Sequence, residues 1–335
     1  MRKIPVGIIG VGGYTGLELV KILLSHPHFE LVYLGNSNGG VEVSELYPAL
    51  STLLDMQVRA SEAKEVAKEC ELVFLALPHK SAMEFAKELL SLGVKVVDLS
   101  ADYRLELKNY EANYCPHSDT DNLSHAIYGL PEYQKERIAN TSLVANPGCY
   151  PTATLLALLP FVKYIEGSVF VDAKSGVSGA GKNPSEKTHY CKINENMFAY
   201  SPLEHRHQIE IEEKVKLFGG KDLQVNFIPH LCPFTRGMLV SVYAKVKGEF
   251  DEEAVLKEAY KNHSFVRVVS APSEVKNVAG TNFCDLFVKR RGEDLFVSSA
   301  IDNLLRGASS QAVVNANLMF SLPLDCGIPK VAYVP

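Results

Sequence analysis

Of seven cysteines, one stands where a thiol could serve as a nucleophile. Cys149 lies in Asn146-Pro147-Gly148-Cys149-Tyr150-Pro151-Thr152, after the apolar residues 143–145 and before a helix-like stretch, 153–159. Proline suits a first helical turn. Pro151 therefore puts Cys149 at or just before a helix N-terminus, where the positive end of the helix dipole favours a thiolate. Cys70, Cys232 and Cys284 lie in or beside apolar runs and read as core residues, whereas Cys115, Cys191 and Cys326 have no evident partner.

A second feature follows the first apolar run, residues 6–9, directly: Gly10-Val11-Gly12-Gly13-Tyr14-Thr15-Gly16. Glycines in such a turn let backbone N–H groups approach a pyrophosphate at a helix N-terminus. Gly10, Gly13 and Gly16 satisfy a G-x-x-G-x-x-G spacing, while Thr15 stands where the third glycine of G-x-G-x-x-G would fall. Thr15 and Glu18 also fit a capping box. The plainer reading is a tight strand-to-helix loop. The next apolar run ends in Leu34-Gly35-Asn36-Ser37-Asn38-Gly39-Gly40, with no carboxylate to hold a ribose 2′-hydroxyl or repel a 2′-phosphate. That favours NADP over NAD with Ser37 as a donor, although no arginine stands nearby and the segment could be only a turn.

These residues need elements to hold them. Residues 6–9, 30–34, 72–77, 94–99 and 143–145 are near-continuous aliphatic runs, as expected of strands buried on both faces. Stretches 17–24, 62–69 and 82–90 between them carry helical periodicity. Alternating β and α units predict a doubly wound parallel sheet of Rossmann type. Beyond about residue 150, runs 168–174, 223–228, 238–247, 266–270, 282–289 and 294–301 are rich in β-branched and aromatic residues, several alternating in the manner of half-buried strands. An α+β domain with a mixed, mostly antiparallel sheet follows, fused to the first near Asn146. The last strong helix is predicted over 303–320.

Composition excludes other classes. At 47% hydrophobic and 22% charged, with a net charge of −5, the chain has no electrostatic footprint for nucleic acid or an anionic membrane. The N-terminus shows no secretory h-region, and no apolar stretch approaches a membrane span, the longest candidate being 155–162. Single cysteines without a CxxC pattern suggest neither disulfides nor zinc and point to a reducing cytoplasm.

Besides the glycine turn and NPGCYPT, the chain carries SGVSGAGK (175–182), EHRHQIEIE (204–212), FLALPHKSA, DLSADYRL, YGLPE, PHLCPFTRGM and DNLLRGASSQAV, spread along nearly its whole length. In these motifs together it resembles the N-acetyl-γ-glutamyl-phosphate reductase family. The resemblance implies a fold like that of aspartate-semialdehyde and glyceraldehyde-3-phosphate dehydrogenases. Residues 1–147 with a returning helix in 303–335 would form the NADP-binding domain, and 148–302 the catalytic and dimerisation domain. It also implies reduction of N-acetylglutamyl 5-phosphate to the semialdehyde in arginine biosynthesis, through a thioester on Cys149.

Such a route needs an acid/base and cations for an acyl phosphate. The resemblance places 204–212 near the nucleophile. His207, followed by Gln208, is favoured as the acid/base, with His205 lining the pocket; the sequence does not settle the choice. An H-x-H metal site lacks further ligands, so no metal is expected. Cofactor contacts are assigned to Gly10, Gly12, Gly13, Tyr14, Thr15, Gly16, Ser37 and Pro78. Ser178 and Gly179, in a loop beneath the nicotinamide, join them, as does Gln311 or Asn315 on the last helix. Ser100 and Arg104, just past the run 94–99, fall at the sheet edge where ligands bind and are assigned to phosphate, with Lys182 and Arg236. Partners are the small acyl-phosphate substrate and further copies of the chain, as homodimer or homotetramer. Aspartate-semialdehyde dehydrogenase and a carrier-linked aminoadipyl-phosphate reductase share the mechanistic residues; a non-enzymatic NADP-binding regulator would leave Cys149 and His207 unexplained.

Overall fold

The computed structural model describes residues 2–334. The chain divides into two compact units, one formed up to Pro147 together with Ala308–Ile328, the other from Gly148–Gly307 and the chain from Pro329.

The first unit is built on eight strands: β1 (Ile4–Ile9), β2 (Phe29–Asn36), β3 (Val41–Glu42), β4 (Gln57–Ala60), β5 (Leu72–Leu75), β6 (Lys95–Asp98), β7 (Ile127–Tyr128) and β8 (Leu143–Ala145). Their order in the sheet is β3-β4-β2-β1-β5-β6-β8-β7. Every pairing is parallel except β3 with β4. Helices cover the faces, so β5 is buried at all four positions and reads as an unbroken aliphatic run. The order reverses direction at β1, whose neighbours are β2 and β5. Ligands of doubly wound sheets bind beyond the carboxyl ends of strands at such a switch point.

The sequence predicted a helix over 303–320, but the helix runs Ser309–Met319. Its first turns are pre-empted because the buried Asp302 carboxylate accepts from the amides of Leu304 and Leu305 at 2.9 and 3.0 Å. All eleven residues of this helix are buried. Ser309 Oγ donates to Thr15 O at 2.9 Å, and Asn315 Nδ2 donates to Gly129 O and Asn146 Oδ1, each at 3.0 Å. The Ser309 hydroxyl and the Asn315 amide on this all-buried helix thus donate to carbonyl oxygens of the same unit, while the oxygens of Gln311 and Asn315 accept no bond among the described residues.

The second unit carries a mixed sheet of seven strands: β9 (Ile165–Gly176), β10 (Phe198–Ala199), β11 (Val225–Cys232), β12 (Met238–Val246), β13 (Val266–Val268), β14 (Cys284–Arg291) and β15 (Asp294–Ile301), in the order β10-β11-β9-β12-β15-β14-β13. Only β9–β11 and β13–β14 pair in parallel. Val169, Val171 and Ala173 at alternate positions of β9 are buried, while Phe170 on its other face is 53% exposed. The buried face carries the helix Cys149–Leu158, whose residues from Tyr150 onward are all buried, and it packs against the helix His207–Gly219.

Candidate active site

In the second unit Cys149 is the first residue of its helix, and Gly148 is the N-cap with no side chain capping the first turn. Cys149 is partly exposed, unlike Cys70, Cys232 and Cys284, which are buried. Gly307 lies close to it: a Cβ there would come within 2.6 Å of Cys149 Cβ and 2.5 Å of Asn303 O. Only glycine lets this backbone approach the cysteine.

Two helices are tied at this point. The Gly148 amide donates to Glu210 Oε1 at 2.9 Å, and Glu210 is 1% exposed in the first turn of the helix that His207 begins. Tyr150 meets the rings of both His205 and His207 edge-on, at centroid separations of 5.9 and 5.8 Å. The cysteine and both imidazoles therefore surround one buried tyrosine. Burial holds the Tyr150 phenol far above its usual range, and so does the charge of Tyr200. Tyr150 thus stays neutral, donating to His230 O at 3.2 Å and accepting from Tyr200 at 3.1 Å.

The two histidines differ. His205 sits among Tyr150, Tyr200, Phe227 and His207, and its Nδ1 accepts the His207 backbone amide at 3.1 Å. Burial, with the nearby Arg206 charge, lowers its pKa to about 4. His205 is therefore a neutral imidazole at physiological pH, its proton placed on Nε2. His207 is the first residue of its helix.

The loop after β9 is stitched to residues 234–237. Val177 and Ser178 donate to Phe234 O and Thr235 O, and Asn303 bridges Gly237 N at 2.6 Å and Ser178 Oγ at 3.0 Å. Ser178 is consequently buried, while Gly179 and Lys182 are exposed. Arg236 is ion-paired at 3.4 Å with Asp302, which is fully buried. Burial raises the Asp302 pKa, a shift that Arg236 and three backbone amides oppose.

In the first unit the glycine turn is sterically specified. A Cβ on Gly10, at φ +95°, would lie 2.3 Å from Ala76 O, and one on Gly16 would lie 2.6 Å from Gly10 O. Gly12 faces open space. The helix begins at Tyr14 with Gly13 as N-cap and no side-chain cap. The predicted Thr15–Glu18 capping box does not form: both residues lie within the helix, and Glu18 pairs with Lys21 at 2.9 Å. Its first-turn amides are left uncapped by side chains, as an anion-binding helix end requires.

Past β2, Asn36 Oδ1 accepts from Asn38 and Gly39 at 2.9 and 2.6 Å, forming a side-chain turn that leaves Ser37 exposed. No arginine was visible here in the sequence, yet β4 brings Arg59 opposite Gly35. Its guanidinium lies over the Tyr33 ring at 4.0 Å and grips both oxygens of Glu69.

At the ends of β6 and β8, Ser100 donates from Oγ to Asp98 Oδ2 at 2.7 Å and accepts from Asp102 N. Arg104, 5% exposed, donates to Asn146 O at 2.8 Å and Leu99 O at 2.7 Å. Burial, then the charge of Asp102, raises the Asp98 pKa to about 7. Pro78 is exposed in the loop after β5. Gln311 is 1% exposed and donates to Gly129 O at 3.1 Å. Sequence reasoning missed Tyr150, Tyr200, Glu210 and Gly307 as parts of the site. Glu210 and Gly307 fall within quoted motifs, but only the fold shows what they touch. Among the described residues no cluster could hold a metal ion.

Comparison with known proteins agrees with this architecture. Residues 5–141 match the semialdehyde dehydrogenase NAD-binding domain and 149–303 the semialdehyde dehydrogenase dimerisation domain. Among solved structures, aspartate semialdehyde dehydrogenase II of Vibrio cholerae, complexed with ASA, superimposes with a TM-score of 0.75 at 17% identity. That match covers 96% of this chain and 99% of that one. The NADP-bound enzyme from Candida albicans gives 0.73 at 15% identity, covering 95% and 99%. Fold and domain matches together define an oxidoreductase of the semialdehyde dehydrogenase class with a Rossmann NAD(P)-binding domain. N-acetyl-gamma-glutamyl-phosphate reductase of Wolinella succinogenes is 62% identical over the full length of both chains, and that of Aquifex aeolicus is 44% identical over 100% of this chain and 99% of its own. The chain belongs to the N-acetyl-gamma-glutamyl-phosphate reductase family.

Proposed function

We propose that the protein reduces N-acetyl-L-glutamyl 5-phosphate to N-acetyl-L-glutamate 5-semialdehyde and phosphate in arginine biosynthesis, with NADPH as reductant. The observation that carries this reading is a partly exposed Cys149 at an uncapped helix start, sharing Tyr150 with His205 and His207.

The glycine turn fits a dinucleotide: Gly10 and Gly16 cannot bear side chains, Gly12 is open and the helix start lacks a side-chain cap. Gly10, Gly12, Gly13, Tyr14, Thr15, Gly16 and Pro78 would hold the cofactor, with Ser37 at the ribose; no carboxylate lies in 34–40 to repel a 2′-phosphate. Gln311 already donates to Gly129 O, which leaves Ser178 and Gly179 as the candidates for the nicotinamide end. The bound cofactor supplies hydride.

Cys149 sulfur forms a bond to the acyl carbon as the carbon–oxygen bond to phosphate breaks. The helix dipole favours the thiolate and the thioester fixes the carbon for hydride transfer. Once hydride has reached the thioester carbon, His207 donates a proton to the thiohemiacetal alkoxide so formed and takes it back as the carbon–sulfur bond breaks, regenerating thiolate and releasing aldehyde. His205, held neutral, packs the pocket wall. Lys182 and Arg236, on the unit that carries Cys149, would supply donors for the phosphate; the Ser100 hydroxyl already donates to Asp98, and Arg104 to Asn146 O and Leu99 O.

Seven free cysteines suit a reducing cytoplasm, and no helix among the described residues is long and apolar enough to cross a membrane. Homodimer or homotetramer formation would cover the exposed Phe170 and Tyr243 on the dimerisation domain's sheet. Sedimentation of a Phe170→Asp/Tyr243→Asp double variant should then show a smaller species than the unaltered protein; unchanged sedimentation would refute this interface.

The activity is tested in reverse. N-acetylglutamate semialdehyde, NADP and inorganic phosphate should give phosphate-dependent NADPH. Aspartate semialdehyde should be a poorer substrate; equal or better turnover of it, or no phosphate-dependent signal, would overturn the assignment.

A further inference from the structure

Three neighbouring strands of the first sheet end in register: Leu75 of β5 aligns with Asp98 of β6, and Asp98 with Ala145 of β8. The turns that follow are cross-linked. Asp102, fully buried, accepts from Lys80 N at 2.9 and 3.0 Å, from Ala82 N at 3.2 Å and from Tyr110 Oη at 2.7 Å. In the opposite direction Ala101 N donates to His79 Nδ1 at 2.9 Å. The turn after β5 and the turn bearing Ser100 and Arg104 thus move as one piece, and Arg104 ties both to the carbonyl of Asn146 after β8.

Lys80 is in a left-handed conformation at φ +75°. An L side chain is disfavoured there, and such backbone persists where surrounding structure over-determines it, commonly at functional sites. The Asp102 carboxylate does that here. The lysine side chain is exposed, and its ammonium has no ion-pair or hydrogen-bond partner among the described residues. Arg104, by contrast, is buried and directs donors to two carbonyls. The accessible cation on this rigid strand edge is Lys80.

We propose that Lys80 is a phosphate-binding residue, presenting a cation on the same rigid edge as Ser100 and Arg104. The phosphate is either the group transferred in the reaction or one of the cofactor's, since the glycine turn after β1 packs against Ala76 of the same loop. The inference rests on the acyl-phosphate reading only for the first source. A glycine at position 80 relieves the backbone while removing the charge, and an arginine keeps the charge.

Three readouts are compared in the unaltered protein, Lys80→Gly and Lys80→Arg: KM for inorganic phosphate in aldehyde oxidation, Kd for NADPH by fluorescence, and the rise in Tm with added phosphate. A lost charge-assisted contact should cost about tenfold or more. A tenfold rise in the phosphate KM with a diminished Tm rise in Lys80→Gly, reversed in Lys80→Arg, assigns Lys80 to the transferred group. A comparable rise in the NADPH Kd assigns it to the cofactor. No change in any of the three overturns the proposal. If the unaltered protein shows no phosphate-dependent oxidation, the acyl-phosphate reading fails, while NADPH affinity and Tm still decide the role of Lys80.

Discussion

At the residue scale the account turns on how two neighbouring histidines are made unlike. His205 is surrounded by aromatic rings and accepts a backbone amide, so its protonated form is disfavoured down to about pH 4. It cannot supply a group that titrates near neutrality. General acid–base catalysis contributes about 10²- to 10⁴-fold. His207→Asn should therefore lower kcat by that order, and His205→Gln should cost less. A larger loss of kcat in His205→Gln than in His207→Asn would reverse the assignment. In stability the sign is fixed: His205, its pKa depressed on folding, contributes stability that is present above about pH 6.5 and lost as pH falls toward 4.

Elements position these residues through contacts that residue types alone do not announce. The cysteine's helix start was legible because Pro151 and an apolar run follow the glycine, and the parallel strands were legible because burial on both faces leaves continuous aliphatic runs. The capping box was not, since Thr15 and Glu18 became helix interior once Gly13 served as cap. Strand β4 has one fully buried residue in four and gave no apolar signal, so Arg59 beside Gly35 went unseen. The last helix starts six residues after 303 because Asp302 captures the amides in between, a tertiary effect invisible in a periodic pattern. Gly307 belongs to this scale. A methyl group there must displace the backbone of Asn303 or Cys149, and overpacking of this kind costs about 1–3 kcal/mol. Gly307→Ala should lower the Tm and lower kcat, with NADPH affinity unchanged. Full activity in that variant would show that the close approach is not needed.

At the scale of the whole chain, the division of labour is that one unit presents a glycine turn and cationic strand ends, and the other a thiol, two imidazoles and a sheet with exposed aromatics. Most of that division was legible in the change of texture near residue 150. The ion pair of Arg236 with Asp302 and the anchoring of Gly148 by Glu210 were not, because partners 66 and 62 residues apart meet only through sheet and helix packing. The central claim is that the acyl group passes through Cys149, and the most direct measurement is the intact mass of the protein mixed with N-acetylglutamyl phosphate without reductant. The account predicts a single N-acetylglutamyl adduct that maps to Cys149, is absent in Cys149→Ala and is discharged as aldehyde on adding NADPH. Turnover that persists in Cys149→Ala, or an adduct on another residue that NADPH discharges, would contradict it.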